Sequence, residues 1–267
     1  MADHSPNIQV LQASVDPEYE SEFHILVDNK FVKYITIDAG LYDCDDMCFA
    51  PSLLSLMPPL PPGDWNKGRI SRNPKTGDPH FSAVLREQLP GITTTWHPTQ
   101  IDHLELRQGR KLRTNVYEVT CPGFSSTTVI AKFARFEWEV PQLEAETTAY
   151  SWIEGQQIGP AFLGHLTEEG RVIGFLIGQV TGCRHATPED LPLCRSVLSR
   201  LHRLGIKHGD INKHNFLIHD ERATLIDFDC ASRLTSCDEL DVELHDLLDQ
   251  LRDTSGRGGR VVESGPR

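Results

Sequence analysis

Apolar and polar residues alternate in two short stretches near the start of the chain. Phe23 to Val27 and Phe31 to Ile37 have a strand-like pattern, and Asp28-Asn29-Lys30 between them is a turn sequence, so the pair predicts a β-hairpin. Proline is frequent from Pro51 to Pro62. This predicts a loop across the domain surface, with a proline-rich ligand for a partner's groove as the alternative. Residues 1–98 are therefore expected to form a β-rich N-terminal extension without recognisable chemistry.

A more regular pattern begins near Ile101 and predicts five strands with one helix after the third. The helix is expected to begin at Pro141, a residue suited to a first helical turn, and to end near Gly155. The predicted strands are Ile101 to Leu106, Asn115 to Thr120, Thr128 to Phe133, Ala161 to Leu166 and Arg171 to Gln179. Arg107 to Arg110 is expected to form the turn between the first two strands.

Two further amphipathic helices are predicted, separated by a loop and a hairpin. Thr187 to Asp190 is a helix-start signal, with Thr as N-cap, Pro at the first helical position and an acid three residues on. Gly205 is expected to end that helix. The hairpin is expected to pair Phe216 to Ile218 with Thr224 to Ile226. Leucines at helical spacing then predict a final helix over about 238–251.

Composition limits the classes of function. The 267 residues carry a net charge of −12, which argues against direct nucleic-acid binding. It leaves ATP open, because a local lysine and Mg²⁺ can reverse the field inside a cleft. No apolar run is long enough for a transmembrane helix, and the first residues do not resemble a secretory signal. The seven cysteines include no C-x-x-C pair and are interpreted as reduced thiols of a cytoplasmic protein.

Candidate chemistry is concentrated in one loop and at the end of a later strand. His208 to Asn215 read H-x-D-x-x-x-x-N, and an apolar run then ends at Asp227. At this spacing Asp210 can orient and deprotonate a hydroxyl, while Asn215 and Asp227 can hold Mg²⁺ against nucleotide phosphates. A loop of turn-forming Asp and Asn residues is the alternative. The joint spacing favours phosphoryl transfer.

The order of these elements resembles the protein-kinase-like fold over about residues 100–250. Gly209, where ordinary protein kinases have Arg, gives an HGD form similar to aminoglycoside phosphotransferases and the KEOPS-complex kinase, and the overall sequence resembles kinase-like proteins of filamentous fungi. The resemblance implies an α+β, bilobal protein-kinase-like fold. Its N-lobe would span about 99–180 and its truncated C-lobe about 181–255, followed by a disordered tail at 256–267.

The resemblance also implies roles for residues outside the loop. Lys132 would grip the α- and β-phosphates of ATP as the strand-three lysine. Glu146 of the following helix would pair with it, and Glu144 is the alternative carboxylate. The backbone of Gln179 and Val180, at the end of the fifth strand, would meet adenine.

The chain departs from the family pattern around the phosphates. Gly109 is the only glycine between the first two predicted strands, so a backbone cradle for phosphate there is glycine-poor. Lys213 is either a γ-phosphate contact or an exposed lysine. Asp229 stands where glycine is usual, as an extra metal ligand or an acidic loop residue.

Together these features predict an ATP- and Mg²⁺-dependent phosphotransferase that transfers the γ-phosphoryl group to a hydroxyl of a protein or small molecule, with Asp210 and Lys132 as catalytic residues. The alternative is a pseudokinase that binds nucleotide and partners as a scaffold. The poor glycine loop and short C-lobe favour the scaffold, whereas the full set of Lys, Asp, Asn and Asp favours the enzyme. A weaker hypothesis makes residues 1–100 a docking module for the acceptor. No membrane partner is expected.

Overall fold

The chain divides into two compact units in a computed structural model, residues 1–89 and residues 90–267. The structure describes residues 6–124, 127–233 and 236–255. The predicted tail at 256–267 lies outside this described part. Residues 90–98, which the sequence assigned to the extension, belong to the second unit.

Unit 1 is built on one five-stranded sheet. Its strands are β1 (Ile8–Ser14), β2 (Ser21–Val27), β3 (Phe31–Ile37), β4 (Lys67–Arg72) and β5 (Pro79–Leu85). They lie in sequence order, antiparallel except for the parallel pair β3 and β4. Two short helices, α1 (Cys44–Cys48) and α2 (Ala50–Leu56), connect these two strands, as a parallel pair requires a crossover connection.

The predicted hairpin in this unit is present, whereas part of the predicted loop is wrong. Val27 pairs with Phe31 across the β2–β3 turn, and Asp28 and Asn29 adopt φ of 53° and 55° there. The first part of the predicted proline-rich loop is instead helix α2, with Pro51 in its first turn. Proline is tolerated at that position because the first N–H groups of a helix have no intrahelical partner.

In its described residues, unit 2 has one large sheet, two small ones and three helices. The strands are β6 (Gln100–Asp102), β7 (Arg107–Arg113), β8 (Val116–Thr120), β9 (Thr128–Phe133), β10 (Phe162–Glu168), β11 (Arg171–Gly178), β12 (Arg184–His185), β13 (Ile206–Lys207), β14 (Phe216–His219), β15 (Arg222–Leu225) and β16 (Ser232–Arg233). The helices are α3 (Val140–Ile153), α4 (Leu191–His202) and α5 (Cys237–Arg252). The large sheet has the order β6-β10-β11-β9-β8-β7, and the small ones are β12-β14-β15 and β13-β16.

The first predicted strand of this unit, and the turn after it, are wrong. The segment from Ile101 to Leu106 breaks after Asp102, whose side chain caps a 3₁₀ turn by accepting from the N–H of Leu104 at 2.8 Å. The predicted turn at Arg107 to Arg110 is instead part of β7, a strand exposed at every position. A strand without a buried face has no alternating pattern that sequence reading could detect.

Helices α3 and α5 begin within one residue of their predicted starts, whereas α4 begins at Leu191, after a 3₁₀ turn over Pro188–Asp190. Pro141 lies in the first turn of α3. Thr187 and Asp190 form a capping box ahead of α4, and Gly205, at φ of 70°, follows that helix. None of the helices in the described ranges is long and apolar enough to cross a membrane.

One buried cluster connects the large sheet to the helices and to the segment after β15. Tyr150 of α3, Phe175 of β11, Leu201 of α4 and Leu247 of α5 belong to it together with Phe228. The Phe228 ring lies 5.3 Å from that of Tyr150, between ring centroids. Because all of these side chains are buried, the core fixes Asp227, the neighbour of Phe228, with respect to α3.

Candidate active site

A buried ion pair links the large sheet to α3. The Lys132 ammonium, on β9, donates to Glu146 Oε1 of α3 at 2.5 Å, and the two side chains are 6% and 3% exposed. The alternative carboxylate, Glu144, accepts instead from the backbone N–H groups of Thr93 and Thr94 at 2.6 and 2.9 Å. Of the two candidates, the structure therefore brings Glu146 to Lys132.

Asp227 joins the same pair from the segment after β15. Lys132 Nζ lies 2.6 Å from Asp227 Oδ1. Asp227 itself adopts the left-handed conformation, at φ of 63° and ψ of 66°. An aspartate tolerates this region better than most residues. Its neighbour Phe228 is fully buried, so the strained backbone is held by the core while the carboxylate points to Lys132.

Arg113, at the end of β7, is a second cation on Asp227. Its guanidinium donates to both carboxylate oxygens, at 2.7 Å to Oδ2 and 2.5 Å to Oδ1. Such a bidentate pairing is the strongest geometry available to an arginine and a carboxylate. The sequence analysis did not single out this residue.

The charges of this cluster shift one another's pKa values. Burial alone would raise the pKa of Asp227, but the charges of Lys132 and Arg113 outweigh it and hold the pKa well below its usual range. Burial would lower the pKa of Lys132, yet the carboxylates of Glu146 and Asp227 together raise it. Lys132 is thus a cation and Asp227 an anion at neutral pH, as phosphate and metal binding require.

The loop after α4 orients Asp210 through two amides. Asn212 Nδ2 and Asn215 Nδ2 donate to Asp210 Oδ2 at 2.9 and 3.1 Å. Asn215 also accepts, through its backbone carbonyl, from the N–H of Ile226 at 3.0 Å. Because Ile226 precedes Asp227, this bond brings Asp210, Asn215 and Asp227 to neighbouring positions.

Gly209 gives the loop its shape. It adopts φ of 82°, and a Cβ built there would lie 2.4 Å from the carbonyl oxygen of Cys230. Glycine is the residue that fits both the positive φ and this close approach. His208 beside it is buried, with Nε2 3.1 Å from the carbonyl oxygen of Ile226 and its ring 5.1 Å from that of Phe228. Its buried position suits orientation of the loop.

Glu243 of α5 anchors the loop from the other side. Its carboxylate accepts from the backbone N–H groups of His208 and Gly209 at 3.0 and 2.7 Å, and His202 Nε2 lies 2.7 Å from it. Sequence reasoning missed Glu243. A signal was present, since an acid four residues before Leu247 and eight before Leu251 falls on the buried stripe of α5.

The structure places the remaining predicted site residues away from Lys132. Gly109 lies within β7, where its Cβ position faces the Glu118 carbonyl, so the predicted loop position is wrong; the turn is at 114–115. Gln179 donates through its side chain to Glu118 at 3.1 Å. The Lys213 amine donates to the Asp253 carbonyl at 2.7 Å, so a phosphate contact would require that bond to break.

A cavity of about 1080 Å³ adjoins the loop after α3 and the β14–β15 turn. Gln179 and Val180 belong to its wall. Lys132, Asp210 and Asp227 are not among the residues that line it. The cavity is therefore a different surface from the charged cluster.

Hard oxygen donors make the cluster chemically suitable for Mg²⁺. Asn215 uses its amide nitrogen toward Asp210, which leaves the amide oxygen as the ligating atom, and Asp227 contributes a carboxylate. Within the described ranges no group of three or more His, Cys, Asp or Glu side chains could hold a metal. Mg²⁺ is commonly bound by one or two protein oxygens plus phosphates and water, a number that Asn215 and Asp227 can supply. Asp229, the other candidate ligand, accepts from Gln142 Nε2 at 2.6 Å.

Comparison with known proteins gives one family model and two archaeal relatives. Residues 193–255 match the model of the Lipopolysaccharide kinase (Kdo/WaaP) family. The "Probable bifunctional tRNA threonylcarbamoyladenosine biosynthesis protein" of Methanoculleus marisnigri is 33% identical over 85 residues, which are 32% of this chain and 15% of that protein. The protein of the same name from Methanospirillum hungatei is 36% identical over 69 residues, 26% of this chain and 13% of that protein.

These matches confirm the predicted resemblance to protein-kinase-like proteins. The family match spans α4, the loop with Asp210 and Asn215, Asp227 and α5. The mixed α+β architecture is compatible with a kinase-like fold, and the family supports a kinase-like transferase.

Proposed function

We propose that this chain is an ATP- and Mg²⁺-dependent phosphotransferase that transfers the γ-phosphoryl group to a hydroxyl. The observation that carries the proposal is the position of the Lys132 ammonium, 2.5 Å from Glu146 and 2.6 Å from Asp227. Asp210 and Asn215 adjoin it through Ile226. Phosphoryl transfer depends on positioning and charge stabilisation, and this cluster provides both.

Each residue has a role that follows from its contacts. Lys132, kept cationic by two carboxylates, would hold the phosphates. Asp210 would orient the acceptor hydroxyl and accept its proton, because its carboxylate is fixed by two amides and is half-buried. Asn215 and Asp227 would hold Mg²⁺, which when bound neutralises the negative charge of the phosphates. Glu243 positions the loop without contacting the reactants.

The proposal includes a bilobal arrangement within unit 2. The large sheet and α3 would form the smaller lobe, and α4, α5 and the two small sheets a shortened second lobe. Gln179 and Val180, which directly follow β11, would then form the hinge beside adenine. We also retain a cytoplasmic location, which the free thiol state of all seven cysteines supports.

The acceptor is proposed as a protein or a small molecule rather than a nucleic acid. A net charge of −12 would repel a polyanion and suits a cationic acceptor. The two archaeal relatives are named for tRNA threonylcarbamoyladenosine biosynthesis. Since this chain covers 15% and 13% of their lengths, their activity as whole proteins does not extend to it.

A nucleotide-binding scaffold is the second candidate, and one observation favours it. Both oxygens of Asp227 are bonded by Arg113, so metal and arginine compete for the same atoms. A scaffold would tolerate a permanent block there, whereas an enzyme needs Asp227 accessible.

Turnover assays with Asp210→Asn distinguish the two candidates. The enzyme hypothesis predicts that wild type converts ATP to ADP with Mg²⁺, slowly with water and faster with an acceptor from a hydroxyl-compound screen. It also predicts that Asp210→Asn loses this activity while binding ATP as tightly. A wild type that binds ATP but shows no turnover above the variant would contradict the enzyme and support the scaffold.

A further inference from the structure

The strand β7 is basic, exposed and adjacent to the charged cluster. It reads Arg107-Gln-Gly-Arg-Lys-Leu-Arg113. All seven residues are exposed. Its four cations therefore lie outside the core. Arg110 pairs with Glu118 across the hairpin, whereas Arg113 reaches Asp227 of the charged cluster.

The turn that carries Arg113 is held in place. Asn115 adopts φ of 62°, its side chain bonds Glu139, and its carbonyl accepts from the N–H of Phe133 at 3.0 Å. Glu139 in turn accepts from the backbone N–H of Arg135 at 2.8 Å. The hairpin end is thus tied to the segment following β9, so Arg113 reaches the cluster from a fixed base.

Arg113 completes the charge balance at Asp227 and is the exposed member of the cluster. Lys132 already pairs with that carboxylate and with Glu146, and all three are largely buried. Arg113, by contrast, has a side chain that is 52% exposed. An ion pair with so exposed an arginine contributes little to stability, so the guanidinium can leave Asp227 at small cost and offer its bidentate fork to another anion.

We propose that Arg113 is a nucleotide-phosphate-binding residue that exchanges partners with the metal. It bonds Asp227 directly in the structure. With Mg²⁺ held by Asp227, the guanidinium of Arg113 would turn to the phosphates of the bound nucleotide. The inference rests on the proposed function. It explains how a hairpin with one glycine in its first strand binds phosphates: a guanidinium fork replaces the backbone N–H groups of a glycine-rich loop.

The exchange is favourable in charge. The formal charges of the cluster sum to zero over Lys132, Arg113, Glu146 and Asp227. A metal on Asp227 would therefore leave Arg113 next to a dication and without a carboxylate partner. Nucleotide phosphates held by Lys132 would then offer the guanidinium a new anionic partner. The guanidinium keeps its charge at every relevant pH, so the exchange needs no proton transfer.

Calorimetric titration with MgATP, MgADP and AMP tests the inference on the full chain. Arg113→Ala is expected to weaken MgATP by about tenfold, the loss of one or two charge-assisted hydrogen bonds, and to leave AMP within about twofold. Arg113→Lys, which keeps the charge but loses the fork, is expected to fall between. Arg107→Ala, an exposed arginine on the same strand, is the matched control and is expected to bind all three nucleotides as wild type does.

The results test the phosphate role of Arg113 separately from the proposed nucleotide-binding function. If Arg113→Ala binds MgATP as tightly as wild type, or more tightly, the phosphate role is overturned. Arg113 would then be a residue that blocks Asp227. An equal loss in Arg107→Ala would overturn the phosphate role too, by reducing the effect to net charge. No binding of MgATP by wild type would overturn the proposed nucleotide site itself.

Discussion

The Lys132 ammonium lies 2.6 Å from the carboxylate of Asp227, a residue 95 positions later in the chain. The contact joins strand β9 to the segment after β15, and Glu146 adds α3 at 2.5 Å. Burying three charges is costly unless each is paired. Their mutual pairing at the edge of a loop with Asp210 and Asn215 is therefore better explained by chemistry than by stability.

Glu146→Gln should lower ATP turnover more than Glu144→Gln, the same substitution on the same helix. It removes the buried partner of Lys132, which would then be held by Asp227 alone. ATP turnover is expected to fall by about tenfold or more, since a misplaced cation stabilises the transferred group poorly.

Glu144→Gln is the matched control on the same helix. Its carboxylate bonds Thr93 and Thr94 instead, so it should lower stability in urea unfolding with turnover within about twofold. Equal losses of turnover in the two variants would contradict the assigned pairing.

Glu243→Gln is expected to loosen the loop that carries Asp210. The neutral amide weakens charge-assisted bonds from the N–H groups of His208 and Gly209, a cost of about 1–3 kcal/mol. Turnover should fall while MgATP affinity changes little, because Lys132 and Asp227 are unaffected. Asp241→Asn, an exposed acid of the same helix, should alter neither. A Glu243→Gln protein with normal turnover would rule out the positioning role.

Gly209→Ala combines strain and collision. The new methyl would lie 2.4 Å from the Cys230 carbonyl oxygen at φ of 82°, whereas Gly170→Ala, at φ of 85°, meets nothing within 4 Å. Both variants should lose roughly 1 kcal/mol of folding stability because alanine disfavours a positive φ. Gly209→Ala should lose about 1–3 kcal/mol more because the new methyl overpacks the site. Urea midpoints measure the difference, and equal effects at the two sites would refute the close approach.

His165 should make stability depend on pH. Burial, with a smaller effect of His97, lowers the pKa of His165 to about 4, against about 6.5 in an unfolded chain. Between these values the unfolded state binds more protons, so stability falls as pH drops from about 6.5 to 4 and is fully present above 6.5.

His165→Gln should remove this dependence while preserving the acceptor for the N–H of His97, which lies 3.3 Å from Nε2. Between about pH 6.5 and 4, the free energy of unfolding of wild type is expected to fall by roughly 2–3 kcal/mol more than that of the variant. Urea unfolding at pH 4.5 and 7 measures the difference. Parallel pH profiles would contradict the shifted pKa.

Local pattern predicted the elements whose faces are buried. The segment with Lys132 has alternating and β-branched residues, and α3 and α4 have clear start signals at Pro141 and Thr187, so their positions follow from the sequence. The spacing between Asp210 and Asn215 likewise lies within one loop. These features depend on residues near one another in the chain.

What could not be predicted depends on long-range contact or on absence of pattern. Strand β7 has no buried face, so its extent and the contact of Arg113 with Asp227, 114 residues away, leave no periodic trace. Lys213 bonds the carbonyl of Asp253 because α5 ends just before that residue. The sequence of the loop around Lys213 does not determine where α5 ends. Glu243 could be recognised as an acid on the apolar stripe of α5. Its role could not be predicted without knowing that it bonds the backbone of His208 and Gly209.

The most direct test of the central claim is a thermal-shift titration with ATP and Mg²⁺ on wild type and Asp227→Asn. Wild type should gain about 2.7 kcal/mol of stability at a hundredfold excess over Kd, and EDTA should reduce the gain. The variant, measured against its own midpoint without ligand, should show little metal-dependent gain. A metal-dependent rise of equal size in both proteins, or none in wild type, would contradict a Mg²⁺–nucleotide site at Asp227.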